Sequence, residues 1–186
     1  MLQHIVNFSL ESGISPEDLK DGSVTPIIKS DDADPELHKN FRPVTTLTFL
    51  SKLLEKVCST QIISYLNEQN LISQYQSAYL KGHSCETALL KLSNDVQKMI
   101  SQGQMVLVVK LDLSAAFDTV EHDVLLHLLE CKFKIKRNVL KWITSYLSGR
   151  TFSVKIGSVN GPTVLFSIWS APRVCLGAST FYTLCQ

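Results

Sequence analysis

The chain has 186 residues, of which 45% are hydrophobic and 19% charged, and a formal net charge of +1. That is enough for one domain with its own core, in a composition ordinary for a globular protein. So small a net charge excludes bulk electrostatics as a guide to partners; the placement of the charges has to serve instead.

Five cysteines, Cys58, Cys85, Cys131, Cys175 and Cys185, are odd in number and form no CxxC pair. The opening MLQHIVNFSL lacks the basic start and long apolar core of a secretory leader, and no later stretch is apolar enough to span a bilayer. The expectation is an intracellular protein, nuclear or cytoplasmic, with reduced thiols and no membrane attachment. Mean hydropathy is slightly positive, which suggests surface that something else should cover.

In chain order, residues 2–12 and 16–20 read as short helices separated by Gly13, with Ser15 as N-cap and Pro16 at the first helical position. Residues 23–28 suit a strand, and residues 29–40, carrying Asp31, Asp32, Asp34 and Glu36, a surface loop. The clearest helix runs over 46–70, with Leu47, Leu50, Leu54, Val57, Ile62 and Leu66 on one side and Lys52 and Lys56 on another. A second amphipathic helix is predicted over 84–100, with Ser84, Glu86 and Thr87 at its start.

Met105-Val-Leu-Val-Val109 is a β-branched run without alternation, which predicts a strand buried on both faces. Asp112 would then stand at its C-terminal rim, a usual place for chemistry in a layered α/β protein. Helices over 122–129 and 136–147 follow; Val139, Trp142 and Tyr146 recur at helical spacing, with Lys134, Arg137 and Lys141 on a different face. Residues 150–157 and 163–167 read as a hairpin.

The stretch that carries chemistry is LDLSAAFDTVEHDVLL, residues 111–126. Transfer of a nucleotidyl group needs carboxylates at a rigid strand end to hold two divalent cations. A bulky ring beside the sugar, such as Phe117, can then exclude a 2′-hydroxyl. Spacing alone favours a plainer reading, in which Asp112 or Ser114 caps the next helix and Phe117 is core. The stretch nevertheless resembles, almost residue for residue, the first catalytic motif of non-LTR retrotransposon reverse transcriptases, LDLSxAFDTVxHxxLL. The resemblance implies that Asp112 is a catalytic Mg²⁺ ligand assisted by the backbone carbonyl of Leu113. It makes Phe117 the sugar gate and gives Asp118 a structural hydrogen-bonding role.

Three further blocks resemble the same family in the same order. NFRPVTTLTFLSKLLEKV, residues 40–57, is similar to N-[YF]-R-P-[IV]-[ST]-L…SK-x-x-E-K, and places Arg42 near template or incoming nucleotide. A salt bridge from Arg42 to the acidic loop 31–36 is the equal alternative. QSAYLKGHSCETALL, residues 76–90, is similar to QxGFRKGHSTExALL, whose basic pair approaches the triphosphate. Here Lys81 is present, but Leu80 replaces the arginine, and lysine does not replace a fork-shaped phosphate donor. His83 has no Cys or His partner at ligand spacing. WITSYLSGR, residues 142–150, is similar to W-x-x-SYLxxR and precedes a hairpin, VKIGSVNG. Around it, Lys132, Lys134, Lys136, Arg137, Lys141 and Arg150 form a stretch without an acid, which could follow a nucleic-acid backbone or form a solvated helix face.

The resemblance covers residues 6–167 and implies an α/β fold with helical fingers packed on an incomplete palm sheet. It also implies RNA-templated DNA synthesis, with an RNA template, a DNA primer and Mg²⁺. Beyond residue 167 the family continues with a block like GVPQGSVLGPLLFTLY, whereas this chain reads WSAPRVCLGASTFYTLCQ over 169–186. A legal set of codons for those residues, read one nucleotide later, yields GAPQGSVLGPLLFTLYV. The expected organisation is therefore a partial reverse transcriptase domain over 1–167 and an aberrant tail over 168–186, from a frameshift or a misplaced exon boundary. Without the later paired aspartates, the chain alone is expected to be inactive, either as a non-catalytic RNA-binding fragment or as a relic. No GxSxG, HExxH or phosphate-loop motif supports a hydrolase.

Overall fold

A computed structural model describes residues 1–111 and 120–165. Its α-helices are α1 (Leu2–Ser12), α2 (Phe49–Glu68), α3 (Cys85–Ser101), α4 (His122–Cys131) and α5 (Arg137–Leu147). Its strands are β1 (Asp21–Ile28), β2 (Phe41–Thr46), β3 (Thr151–Ile156), β4 (Val159–Asn160) and β5 (Val164–Leu165). The fold is mixed α/β, with a helical core joined to one partial sheet.

The core lies where α1, α2, α4 and α5 meet, and comprises Val6, Leu54, Cys58, Ile62, Leu66, Leu125, Leu129, Phe133, Ile135, Trp142, Ile143 and Tyr146. Polar ties fix α1 to α5. The indole Nε1 of Trp142 donates to Ser9 Oγ at 2.9 Å, and that hydroxyl donates to the Ile14 carbonyl at 2.7 Å. Asn138 Nδ2 donates to the Glu11 carbonyl at 2.8 Å. Gly13 ends α1 at φ 68°, and a Cβ there would meet the Asn138 carbonyl oxygen at 3.0 Å. Glycine therefore serves both the left-handed turn and the close approach of α5.

The sheet runs β2-β1-β3-β4, with β5 also on β3. β1 and β2 are antiparallel, from Ser23 opposite Thr46 to Ile28 opposite Phe41. β1 and β3 are parallel, from Asp21 beside Thr151 to Val24 beside Val154. Pro26 lies beyond the stretch that pairs with β3, so its missing N–H breaks no bond on that side.

Several sequence expectations change. Residues 16–20 form only a 3₁₀ turn over Glu17–Leu19, with Pro16 as its N-cap. The long helix begins at Phe49, capped by Thr48 Oγ1, which accepts from Ser51 N at 3.3 Å. The residues before it are strand β2, held by pairing with β1. Within the second hairpin arm the described strand is Val164–Leu165, with the short β4 between the arms, and residues 166–167 lie outside the described residues.

The largest departure is the run 105–109, which is neither strand nor buried. Met105 is 101% exposed and Leu107 88%. A strand is made by backbone hydrogen bonds to a neighbour, and none of the described strands pairs with this run. Its apolar sequence therefore specifies a burial that no described residue supplies. α3 is comparable: Ser84 and Thr87 close a reciprocal capping box at its start, yet none of its residues is buried. Among the described residues, no helix is long and apolar enough to cross a membrane.

Candidate functional site

Asp112, Leu113, Phe117 and Asp118 lie outside the described residues. α4 begins shortly after them at His122, whose imidazole burial holds below its ordinary pKa, with Asp123 opposing.

Arg42 sits on β2 opposite Ile27, with its side chain exposed. Among the described residues it forms no ion pair with Asp31, Asp32, Asp34 or Glu36. The acidic loop is organised on itself instead. Asp34 Oδ1 accepts from Glu36 N, and the Asp34 carbonyl accepts from Asn40 Nδ2, both at 2.9 Å. Lys81 is exposed in a turn closed by His83 N donating to the Leu80 carbonyl at 3.2 Å. The next basic group along, Lys91, lies over the Tyr75 ring at 5.3 Å.

The basic stretch divides into committed and uncommitted cations. Lys134 and Arg137 are exposed and have no side-chain partner among the described residues. Lys141 is also exposed, but its Nζ donates to the Ser12 carbonyl at 3.3 Å, a cation placed at the C-terminal end of α1. Lys132 rests over the Phe133 ring at 5.3 Å.

Arg150 is a correction. It is buried, 4% exposed, with its guanidinium 4.6 Å from the centroid of the Tyr146 ring. Its Nη1 donates to the Tyr146 carbonyl at 3.3 Å, while Nε and Nη2 are buried without a hydrogen-bond partner in the described structure. Tyr146 in turn donates to Glu55 Oε1 at 2.5 Å. Two blocks singled out in the sequence, 40–57 and 142–150, thus meet in a packed polar cluster. Burial raises the Glu55 pKa, against the Tyr146 hydrogen bond and the charges of Arg150 and Lys52. Burial lowers that of Lys20, with Glu17 opposing and Arg150 adding to the effect. Cys58, one turn from Glu55, is pushed up to about 12 by burial and by Glu55, which leaves an inert thiol. The cluster has the features of a structural joint, since its groups face one another in the interior.

Among the described residues, no group of three or more His, Cys, Asp or Glu side chains could hold a metal ion.

A mixed α/β domain with cations spread over an exposed turn, a strand and a helix start is consistent with a protein that handles polyanions. Comparison makes the class specific: residues 27–169 match the family described as reverse transcriptase (RNA-dependent DNA polymerase), and the chain belongs to that family. It is 28% identical over 160 residues to the probable RNA-directed DNA polymerase from transposon BS of Drosophila melanogaster, covering 77% of this chain and 17% of that protein. It is 26% identical over 183 residues to the RNA-directed DNA polymerase from mobile element jockey of Drosophila funebris, covering 90% and 20%. A type-1 retrotransposable element R2 polyprotein of Popillia japonica is 26% identical over 126 residues, covering 68% and 17%. The chain thus spans a fifth or less of the length of these relatives. It is a reverse transcriptase domain of the non-LTR retrotransposon kind.

Proposed function

We propose that residues 1–167 contribute the fingers and the start of the palm to an RNA-directed DNA polymerase. The observation that carries this is the family match over 27–169, which takes in all four motif blocks in order. In the reaction, a primer 3′-hydroxyl attacks the α-phosphate of a deoxynucleoside triphosphate in line and pyrophosphate leaves. Arg42 and Lys81 would meet template or phosphate; both side chains are exposed without a protein partner among the described residues. Phe117 would exclude the 2′-hydroxyl of a ribonucleotide. Lys134, Arg137 and, less freely, Lys141 would follow the nucleic-acid backbone.

Mg²⁺ would be held by Asp112 and the Leu113 carbonyl, neutralising charge on the attacking and leaving oxygens. One carboxylate does not hold two ions about 4 Å apart, and no described cluster adds a second. No step of this chain alone is therefore routed through the metal. By itself the 186-residue chain binds RNA in a salt-dependent way without incorporating nucleotides.

Primer extension on an RNA template tests both statements. In a full-length version with the reading frame restored, Asp112→Asn should abolish incorporation, while the 186-residue chain alone should incorporate none. Full activity in the variant, or extension by the short chain, overturns the assignment. The reading of 168–186 as frameshifted is tested by the nucleotide sequence downstream of residue 167. It fails if no other frame there encodes the glycine-rich block.

A further inference from the structure

α1, α2, the turn after α4 and the first turns of α5 border a half-open cavity of about 560 Å³. That volume is in the range of small-ligand sites. Its walls are apolar where Leu10, Ile62, Ile135, Val139 and Trp142 meet. Val139 is 46% exposed although it shares helical spacing with buried Trp142, because its side faces the opening rather than the core.

The polar groups at this cavity include amides and ammonium groups. Asn7 and Gln61 bring carboxamides from α1 and α2, neither bonded to a described residue, each offering a donor and an acceptor side by side. Lys134 and Lys136 also belong to the lining, exposed and without ion-pair partners among the described residues. Glu11 is the one acid there.

Apolar walls, paired amides and adjacent ammonium groups together match an unstacked base attached to phosphate. Amides recognise base edges through paired hydrogen bonds, and single-stranded nucleic acids bind by burying bases while lysines follow the backbone. We infer that this cavity takes one unstacked base of a single-stranded RNA, with the neighbouring phosphates on Lys134 and Lys136. The inference rests on the reading that the domain handles nucleic acid, and gives Lys134 a defined partner within it.

The test compares the 186-residue chain binding a fluorescent single-stranded RNA with its binding to an abasic phosphate polymer of equal length, by anisotropy at fixed salt. The RNA should bind about tenfold more tightly than the abasic polymer. Val139→Trp, which fills the cavity from its open side, and Gln61→Leu should each reduce that preference. Neither should change the affinity for the abasic polymer, and circular dichroism should match the parent. Photocrosslinks from 4-thiouridine in the RNA should map to the cavity walls.

Equal affinity for the two polymers overturns the inference. So do variants that keep the full preference, or crosslinks confined to other surfaces. Failure of both polymers to bind overturns it as well. Primer extension by the longer protein stays a separate readout, so loss of the base site leaves the polymerase assignment standing or falling by itself.

Discussion

The phenol of Tyr146 donates a 2.5 Å hydrogen bond to the carboxylate of Glu55, joining α5 to α2 across 91 residues of chain. Arg150 packs over the same ring, its guanidinium 4.6 Å from the centroid. Tyr146→Phe removes the donor and leaves Glu55 buried with less to stabilise it. Unpaired buried partners of this kind cost about 1–3 kcal/mol, so urea denaturation should give a loss in that range. A variant as stable as the parent would mean that the contact does not hold the two helices together.

The same pair sets a pH dependence. Burial raises the folded pKa of Glu55 above 4.5, the value taken for the unfolded chain. A raised folded pKa means that the native state holds the proton more tightly. The contribution is therefore full below the unfolded value and is lost as pH rises through the folded one. Glu55→Gln keeps an acceptor for Tyr146 and removes the titration. The stability of the parent minus that of Glu55→Gln should fall as pH rises from the unfolded value, then level off. His122 acts in the opposite sense, since its pKa is lowered: its contribution is lost as pH falls through the folded value, and it cancels in this difference. A flat difference would contradict the assigned protonation.

Arg150 and Lys134 belong to one acid-free stretch of sequence but should behave differently. Lys134→Ala or Arg137→Ala should leave the melting behaviour near that of the parent. Each should lower the salt dependence of RNA binding by about one unit of slope if its side chain meets a phosphate. Arg150→Ala removes a buried side chain stacked on Tyr146 and should chiefly destabilise the fold. An Arg150 variant that folds normally yet loses salt-dependent binding would reverse this division.

That contrast indicates what the sequence could reveal. The cores of α2, α4 and α5 follow from apolar residues recurring with helical period, and Leu54, Ile62, Leu66, Leu125, Trp142 and Tyr146 are all buried. No helical signal marked Arg150, which lies past the end of α5 at Leu147. Its charge suggested solvent, but burial against Tyr146 and near Glu55 is a tertiary effect that no local pattern contains. β2 was missed because FRPVTT includes Pro43 and does not alternate; pairing with β1 makes it a strand. The run 105–109 shows the converse, a strand-like composition without a described partner. The roles expected of Asp112, Leu113 and Phe117, which lie outside the described residues, rest on family resemblance alone, because a strand-end Asp followed by an aromatic is by spacing an ordinary helix start.

The role of Phe117 therefore calls for a functional test. If its ring stands beside the sugar of the incoming nucleotide, discrimination against ribonucleotides is steric, and removing bulk should weaken it while deoxynucleotides continue to react. In a full-length version with the reading frame restored, Phe117→Val should raise kcat/KM for ribonucleoside triphosphates by one or more factors of about ten, each about 1.4 kcal/mol of barrier. The value for deoxynucleoside triphosphates should change much less. A core role predicts otherwise: the smaller side chain would leave a cavity, lower stability and reduce both activities in parallel. Measuring both substrates beside a thermal melt separates the two, and selectivity equal to that of the parent would remove Phe117 from the sugar site.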